Sequence, residues 1–598
     1  MRKQSRKKGL WTILKPVSFE ICLAMFLSAF AAITLIASLT LLSFTLSNVL
    51  SATPLELFGI KMDLVNTIIL LAIMIVIAFT TRLGSFVVSH LGALKLEQIL
   101  RTRLSLHLAQ VPLGYIITTG SGALKKVMQS DVRGLHVFVA DSIPMIAKSA
   151  VAPAITLIIL LWVDYRLVLA SVVVLVIGFL IIARTMKDSV HFRERYERSQ
   201  GEINKAVIEF AQAMPVVRTF DDGSHSFKRY NNSLFSYKKN LSAWMAQTSF
   251  FSKLGIIILS PLPTLLAVLI TGICLLNNGS LELSSLILAL FLSTGMADAM
   301  MPVMWITNFI KKSQASAIRI QEVLDVKALP QAKGNALPND NSVLFKKVSF
   351  RYDGSSKNAL NNISFEVPQG SVAALVGPSG SGKSTIAKLI PRFWDVSGGS
   401  IEIGRVNIKA MHSDVLMDTV SFVFQDTFLF HDSILNNIKM ANPEASREEI
   451  IDAARAAQIH DFIESLPNGY DTKAGDRGAN LSGGQKQRIT IARAILRDNP
   501  IIVLDEATAF ADPENEEEII KALANLMEHK TVLVIAHRLS TIKVVDQIIV
   551  IDKGNIVEKG KHDELLKNKQ VYFTLWQNYE KAEKWNLDAK IDTNEVPV

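Results

Sequence analysis

Cysteine is almost absent from this 598-residue chain. The two present, Cys22 and Cys274, lie in apolar runs, which argues against a disulfide framework or a thiolate metal site. Internal repeats and low-complexity stretches are lacking, which removes solenoid, collagen-like and disordered classes. Charge of either sign is sparse, at 20% of residues against 49% hydrophobic. Lys and Arg total 63 and Asp and Glu 54, a net charge of +9. That excess is too mild to point to a nucleic-acid partner and better suits loops facing anionic lipid. Mean hydropathy is +0.30, yet long stretches are ordinary charged sequence. A membrane half joined to a soluble half fits this composition.

Six apolar segments fill the first half: Phe19–Leu46, Leu64–Val88, Leu135–Trp162, Leu167–Ile182, Phe250–Leu276 and Leu283–Ile310. Most exceed the ~20 residues a helix needs to cross a ~30 Å hydrocarbon layer. The first is too long for a cleavable signal and lacks a small-residue cleavage site. Arg2, Lys3, Arg6, Lys7 and Lys8 precede it, which places the N-terminus in the cytoplasm. The second and fourth connections carry Lys95, Arg101, Arg103, Lys125, Lys126 and Arg133, and Arg184, Lys187, Arg193, Arg195, Arg198 and Lys205, so both lie inside. Six crossings return the chain to the cytoplasm, and both termini are expected there. Arg82–Gln110 and Arg184–Gln212 read as helix, and ~30 helical residues extend ~45 Å, so these helices should protrude well below the membrane.

Pro330, Gly334 and Pro338 mark a linker, after which strand-like and helical patterns alternate. The expected organisation is a basic N-terminus (1–18), an all-α six-helix transmembrane domain with long cytoplasmic extensions (19–325), a linker (326–341), an α/β nucleotide-binding domain (342–575) and a C-terminal tail (576–598). Gly377-Pro378-Ser379-Gly380-Ser381-Gly382-Lys383-Ser384-Thr385 follows the apolar strand Val372–Val376 and precedes a helix, the required context for a phosphate-binding loop. Glycines let backbone N–H groups curl around phosphates, Lys383 neutralises the β/γ oxygens, and the Ser384 hydroxyl is placed to ligate Mg²⁺. Ile501–Glu506 is an apolar strand ending in two carboxylates, Asp505 for the magnesium shell and Glu506 to polarise the attacking water. Ser482-Gly483-Gly484-Gln485 opens a helix carrying Arg488 and Arg493. It reads both as a second phosphate contact and as a capping box, and the two are compatible.

On these residues the soluble half resembles the ATPase domain of ABC transporters, and the whole chain resembles an exporter-fold (type IV) half-transporter. The resemblance implies ATP and Mg²⁺ as cofactors. It assigns Tyr352 to stacking on adenine, Gln425 to the loop linking Mg²⁺ to the transmembrane stalks, Asp512 to the loop crossing to the partner ATPase, and His537 to the γ-phosphate switch. Lys383, Gln425, Glu506 and His537 thus form the catalytic set, with Ser384, Gln425 and Asp505 around the metal. Asp476 stands where such transporters usually carry Glu, and Ala509-Phe510-Ala511-Asp512 replaces the commoner Ser-Ala-Leu-Asp. The resemblance also implies a dimer in which the signature Ser482–Gln485 of one subunit closes over the phosphate loop of the other. Coupling helices are expected near Gly114–Lys125 and Val217–Ser226.

Cargo is less legible. Thr294, Asp298, Met301, Trp305 and Asn308, bordered by Met296, Met300 and Met304, recur near helical spacing in the sixth span, and Asp141 and Lys148 share a face of the third. A substrate pathway and an inter-helix polar contact are equal readings. Glu209–Phe220, Asp505–Glu516 and Tyr572–Trp585 resemble the siderophore-handling pairs of this fold, which import iron chelates as heterodimers. The expected cargo is therefore a small molecule, with a ferric siderophore ahead of drugs, lipids or peptides. The expected partners are lipid and a second half-transporter, a heterodimer being favoured over a homodimer.

Overall fold

The structure, a computed structural model, describes residues 9–51, 55–57, 60–220, 225–330, 332, 334, 336–425, 427–505, 513–536 and 542–592. It divides into two compact units. The first comprises residues up to His107 and Ser121–Val326, the second Leu108–Gly120 and the chain from Lys327 onward.

The first unit is helical: α1 (Leu10–Leu14), α2 (Ser18–Ser51) and α3 (Leu64–Leu108), the last two joined through a short antiparallel hairpin of β1 (Leu55–Leu57) and β2 (Ile60–Met62). Helix α3 is unbroken over 45 residues, about 67 Å, so it outruns a hydrocarbon layer by more than half its length. The chain then leaves for the second unit through α4 (Leu113–Thr119) and returns as α5, a 43-residue helix over Ser121–Val163 with π-helical turns at Lys126–Asp131 and Phe138–Ser142. Asp164 caps α6 (Tyr165–Asp188) by accepting from Arg166 N at 2.7 Å. Ser189 separates α6 from α7 (Val190–Gln212). Five elements complete the first unit among the described residues: α8 (Met214–Phe220), α9 (His225–Leu259), α10 (Pro261–Asn277), α11 (Leu283–Met300) and α12 (Val303–Leu324). The expected coupling segment Val217–Ser226 is helical through Phe220, while Asp221–Ser224 lie outside the described residues.

Two spans differ from expectation. The fifth is a bent pair, its helices meeting at 52° where Ser260 turns extended and Pro261 opens the next helix. The sixth runs on to Leu324 with helical dihedrals throughout, but its hydrogen bonding is interrupted at Met301-Pro302, because proline cannot donate into the preceding turn. The stripe Thr294–Asn308 therefore runs across that interruption. The ionisable groups of that region face neighbouring helices: Asp298 lies 3.9 Å from Lys148, and Asp141 lies 3.7 Å from His90. Met296 is buried, and Met300 lines an apolar cavity of about 390 Å³ with Leu157 and Phe179. Among the described residues, five helices, or six counting the bent pair as one span, are long and apolar enough to cross a membrane. Ala32, Ile36, Leu160, Leu167, Val268 and Leu288 pack inward, whereas Phe26, Phe79 and Trp162 face outward, the inverse of a water-soluble surface. Below the spans, the buried carboxylate of Asp131 accepts from Ser316 Oγ at 2.9 Å and from Arg319 Nε at 2.8 Å, tying α5 to α12.

The second unit carries two sheets. The antiparallel one, in order β4-β3-β6-β7, comprises β3 (Val343–Phe350), β4 (Leu360–Val367), β6 (Gly398–Ile403) and β7 (Val406–Asn407). The larger, in order β12-β11-β5-β10-β9-β8, comprises β5 (Val372–Val376), β8 (Val420–Val423), β9 (Ile501–Asp505), β10 (Thr531–Ile535), β11 (Gln547–Asp552) and β12 (Asn555–Gly560). All its neighbours are parallel except β11 with β12. Strand β5, flanked by β10 and β11, is buried on both faces, which is why it reads as a continuous apolar run. Helix α13 (Lys383–Leu389) follows it, and the sheet is otherwise flanked by α14 (Ser413–Thr419), α15 (Ile434–Lys439), α16 (Arg447–Ala456), α17 (His460–Ser465), α18 (Gly483–Arg497), α19 (Pro513–Met527), α20 (His562–Asn568) and α21 (Val571–Asp592). Helix α21 runs across residue 575, and its Trp576 is buried with Tyr572, Ile548 and Val550.

Candidate nucleotide site

Ligands of an open parallel sheet sit beyond the carboxyl ends of its strands. Here β5 and β9 end in Val376 and Asp505, and the loop after β5 wraps that end. Gly377 has φ +150°, and a Cβ there would fall 2.0 Å from the carbonyl oxygen of Ile551 on β11, so only glycine lets the loop leave the strand. The turn closes by Ser381 N donating to Pro378 O at 3.2 Å, and Gly554 N donates to Ser381 O at 2.9 Å. Lys383 is 6% exposed, and its ammonium donates to Gly377 O at 2.8 Å and Pro378 O at 2.9 Å, which holds it curled back over the loop. Ser384 Oγ lies 3.4 Å from Asp505 Oδ1. A hydroxyl and a carboxylate so placed can share a hard cation. Ser381 Oγ is buried and has no hydrogen-bond partner among the described residues, a donor suited to a phosphate oxygen. The donor set therefore fits a magnesium nucleotide: Lys383 and the loop amides for the phosphates, Ser384 and Asp505 for the ion.

Tyr352 reaches the same helix start, its hydroxyl 2.8 Å from Thr385 Oγ1. Gln425 is exposed just past β8, beside Phe424, which stacks near Phe422 and Phe393. Glu506, Asp512 and His537 lie outside the described residues, so the structure shows only the strands β9 and β10 that lead to them.

Ser482 caps α18 with both arms of the capping box: its Oγ accepts from Gln485 N at 3.3 Å, and Gln485 Oε1 accepts from Ser482 N at 2.8 Å. The capping reading holds, and Ser482 and Gly483 are exposed, which leaves this helix start open at the surface. Behind them Arg493 donates to Phe428 O at 2.8 Å and to Asn437 Oδ1 at 2.6 Å, fastening α18 to the stretch after Gln425. Burial pushes its guanidinium down to about 10, still charged at neutral pH. Arg488 is buried too, donating to Gln458 O at 2.8 Å and pairing with Glu518.

One pair of residues escaped the sequence reading. Gly114 N, on α4, donates to Phe393 O at 3.0 Å, and a Cβ on Gly114 would fall 1.8 Å from Trp394 Cε2. The expected coupling segment Gly114–Lys125 is thus met at its first residue, with the helix itself at Leu113–Thr119. The only trace in the sequence is the pair Phe393-Trp394 set between Arg392 and Asp395.

Comparison with known proteins agrees with this geometry. Residues 360–509 match the family model described as ABC transporter, and residues 21–300 match the ABC transporter transmembrane region. The mycobactin import ATP-binding/permease protein IrtA of Mycolicibacterium smegmatis is 38% identical over 492 residues, covering 82% of this chain and 56% of that protein. The chain thus spans a little over half the length of the mycobactin import proteins it matches. The putative multidrug export ATP-binding/permease protein YgaD of Bacillus subtilis is 34% identical over 80% of this chain and 82% of its own length. An ATP-dependent lipid A-core flippase of Desulfotalea psychrophila is 34% identical over 80% and 83%. A solved bacterial Atm1-family ABC exporter with ATP bound is similar at a TM-score of 0.70 and 25% identity, covering 95% of this chain and 98% of that one. With the helical membrane region, the phosphate loop at the end of β5 and the capped signature helix all in the matched order, the chain belongs to the ABC transporter family.

Proposed function

We propose that the chain is an ATP-hydrolysing half-transporter that works as a dimer in the cell membrane, with both termini in the cytoplasm. The observation that carries this reading is the loop Gly377–Thr385, with Lys383 buried over it and Ser384 paired with Asp505, in one chain with helices long enough to span a bilayer. Lys383 and the loop amides hold the phosphates, Tyr352 stacks on the base, and Ser384, Asp505 and Gln425 hold Mg²⁺, which when bound neutralises charge developing between the phosphates. Glu506 orients and deprotonates water, and His537 contacts the γ-phosphate. Ser482–Gln485 and Asp512 complete the site of the partner. ATP draws the two ATPase halves together and hydrolysis releases them, which moves the spans between inward- and outward-open arrangements.

For cargo we favour an iron–siderophore complex taken up by a heterodimer. The segments Glu209–Phe220, Asp505–Glu516 and Tyr572–Trp585 support it, as does similarity to proteins named for mycobactin import. Export of drugs or lipids is the second reading, favoured by the relatives named for multidrug export and lipid A-core flipping. The test is ATPase stimulation of the reconstituted chain, alone and with a co-encoded half-transporter, by ferric siderophores and by amphipathic drugs. Uptake predicts stimulation by ferric chelates that needs the second chain. Stimulation by drugs alone, with normal iron acquisition in a deletion strain, would remove it.

A further inference from the structure

The sequence sets the end of the ATPase domain at residue 575 and a tail beyond it, yet α21 is firmly held on both sides of that boundary. Tyr572 is fully buried and Trp576 is 6% exposed. Tyr572 N donates to Glu558 Oε1 of β12 at 3.1 Å, and the Tyr572 hydroxyl lies 2.8 Å from His562 Nδ1 of α20. The indole of Trp576 meets the His562 ring at 4.6 Å and 69°, and Trp576 Nε1 donates to Glu580 Oε1 one turn on at 2.8 Å. The ring is thus fixed in place and in rotation.

What this ring supports is the connection from β10 to β11. Strand β10 ends at Ile535, and Ala536 N donates to Leu375 O at 3.2 Å, two residues before Gly377 of the phosphate loop. The chain regains the other end of β5 at Asp546, whose N donates to Val372 O at 3.1 Å and whose Oδ2 accepts from Val372 N at 2.8 Å. Residues 537–541, between these posts, lie outside the described residues. Ala536 and Ile542, which flank them, are both buried in one cluster with Tyr572 and Trp576. Lys543 follows, exposed, with its ammonium 5.1 Å from the centroid of the Trp576 ring, a cation–π contact. Val376 belongs to the same cluster but is held independently by its pairing with Val550 of β11, so the phosphate loop does not depend on the indole. His537 is joined directly to Ala536. A shift of that post is a shift of the histidine backbone, and close packing leaves the post no slack while Trp576 fills the space beside it.

We propose that Trp576 is a positioning residue for ATP hydrolysis: with Lys543 it clamps the two flanks of residues 537–541 and so holds His537 to the γ-phosphate. The proposal rests on the assignment of His537 to that phosphate. The helix read from sequence as a tail is then part of the hydrolytic machinery. Its effect falls on the chemical step, because Lys383 and the loop amides hold ATP without it. Loss of an interaction made in the transition state lowers kcat and spares KM.

The test uses the full chain in proteoliposomes. Competent sites are counted by equilibrium dialysis of the Mg²⁺ complex of the non-hydrolysable analogue AMP-PNP, so that any unfolded fraction is divided out. Trp576→Ala should lower kcat per competent site by about 10-fold, with the KM for ATP and the affinity for the analogue changed by less than about 2-fold. Trp576→Phe, which keeps a ring for Lys543, should retain about half or more of the native kcat. Lys543→Met, a change at an exposed position, should lower kcat by about 2- to 5-fold, and it decides alone if Trp576→Ala yields no competent protein. In a His537→Ala background either substitution should cost less than about 2-fold more. Native kcat in Trp576→Ala or Lys543→Met overturns the proposal. So do losses that multiply with that of His537→Ala, or that fall equally on analogue affinity, since these assign Trp576 to packing alone. A His537→Ala variant that hydrolyses ATP at the native rate removes the assignment of His537 and the clamp with it, and leaves nucleotide binding by the phosphate loop standing.

Discussion

Replacing Gly377 by alanine separates two demands that a phosphate loop places on glycine. At φ +150° an L-residue costs about 1–3 kcal/mol in backbone strain alone. The added Cβ would also sit 2.0 Å from Ile551 O, a carbonyl fixed in β11, where Ile551 pairs with Ile556. Opening that contact to ordinary separation means displacing β11 from β5 by about 1 Å or more, and overpacking of this kind costs about a further 1–3 kcal/mol. The sum, about 2–6 kcal/mol, is a large part of the ~5–15 kcal/mol that holds a domain folded. Gly380, three residues on, has φ +76° with nothing within 4 Å of its would-be Cβ, so Gly380→Ala costs only the left-handed backbone, about 1–2 kcal/mol. Thermal unfolding of the two variants, with nucleotide binding by equilibrium dialysis, measures the difference. At about 2–4 °C per kcal/mol for a domain of this size, Gly377→Ala should unfold well below Gly380→Ala and bind ATP more weakly. Equal midpoints would refute the argument that β11 walls the loop.

Tyr470 is buried, with its hydroxyl 2.9 Å from His460 Nδ1, and burial pushes its phenol up to about 12. A raised value means stability that is intact below pH 10 and is lost as pH climbs from 10 to 12. Tyr470→Phe should therefore be less stable at neutral pH by about 1 kcal/mol yet lose less between pH 10 and 12, as read by urea unfolding. An unchanged alkaline slope would contradict it. For the pair between α5 and α12, Arg319→Ala strands a buried carboxylate and should cost about 3–5 kcal/mol. Asp131→Ala strands a guanidinium that is 39% exposed and should cost less, and the double variant should be more stable than Arg319→Ala alone. The reverse order in thermal unfolding would sink that reasoning. Ser482→Ala should lower stability by about 1 kcal/mol and Ser482→Gly by only a few tenths, because glycine is itself a tolerated cap. Equal losses would mean the hydroxyl caps nothing.

What the sequence makes legible divides by the range of the interactions involved. The phosphate loop, the β5 and β9 strands and the capped signature helix are local patterns: an apolar run of period-free burial, a glycine set, a Ser and Gln three residues apart. They hold as expected because neighbours in sequence determine them. The protruding helices are equally local, since leucines among charges persist from Arg82 to Leu108 without a breaker. The bend at Ser260-Pro261 and the interruption at Met301-Pro302 are also marked by proline, but apolar composition on both sides hid them. Contacts that depend on distant partners were not visible. Nothing near Trp394 in sequence names Gly114, 280 positions earlier, and nothing near Asp131 names Arg319. In the same way, Asp298 and Lys148 were recognisable as costly groups at membrane depth, but only the fold shows that they face each other.

The account stands most directly on ATP hydrolysis by the chain in a lipid bilayer. Purified and reconstituted into proteoliposomes, alone or with a co-encoded half-transporter, the protein should hydrolyse Mg²⁺-ATP steadily. Glu506→Gln should lower that rate by orders of magnitude while ATP binding persists. Hydrolysis indistinguishable between the two, or absent from the native protein in lipid, would contradict it.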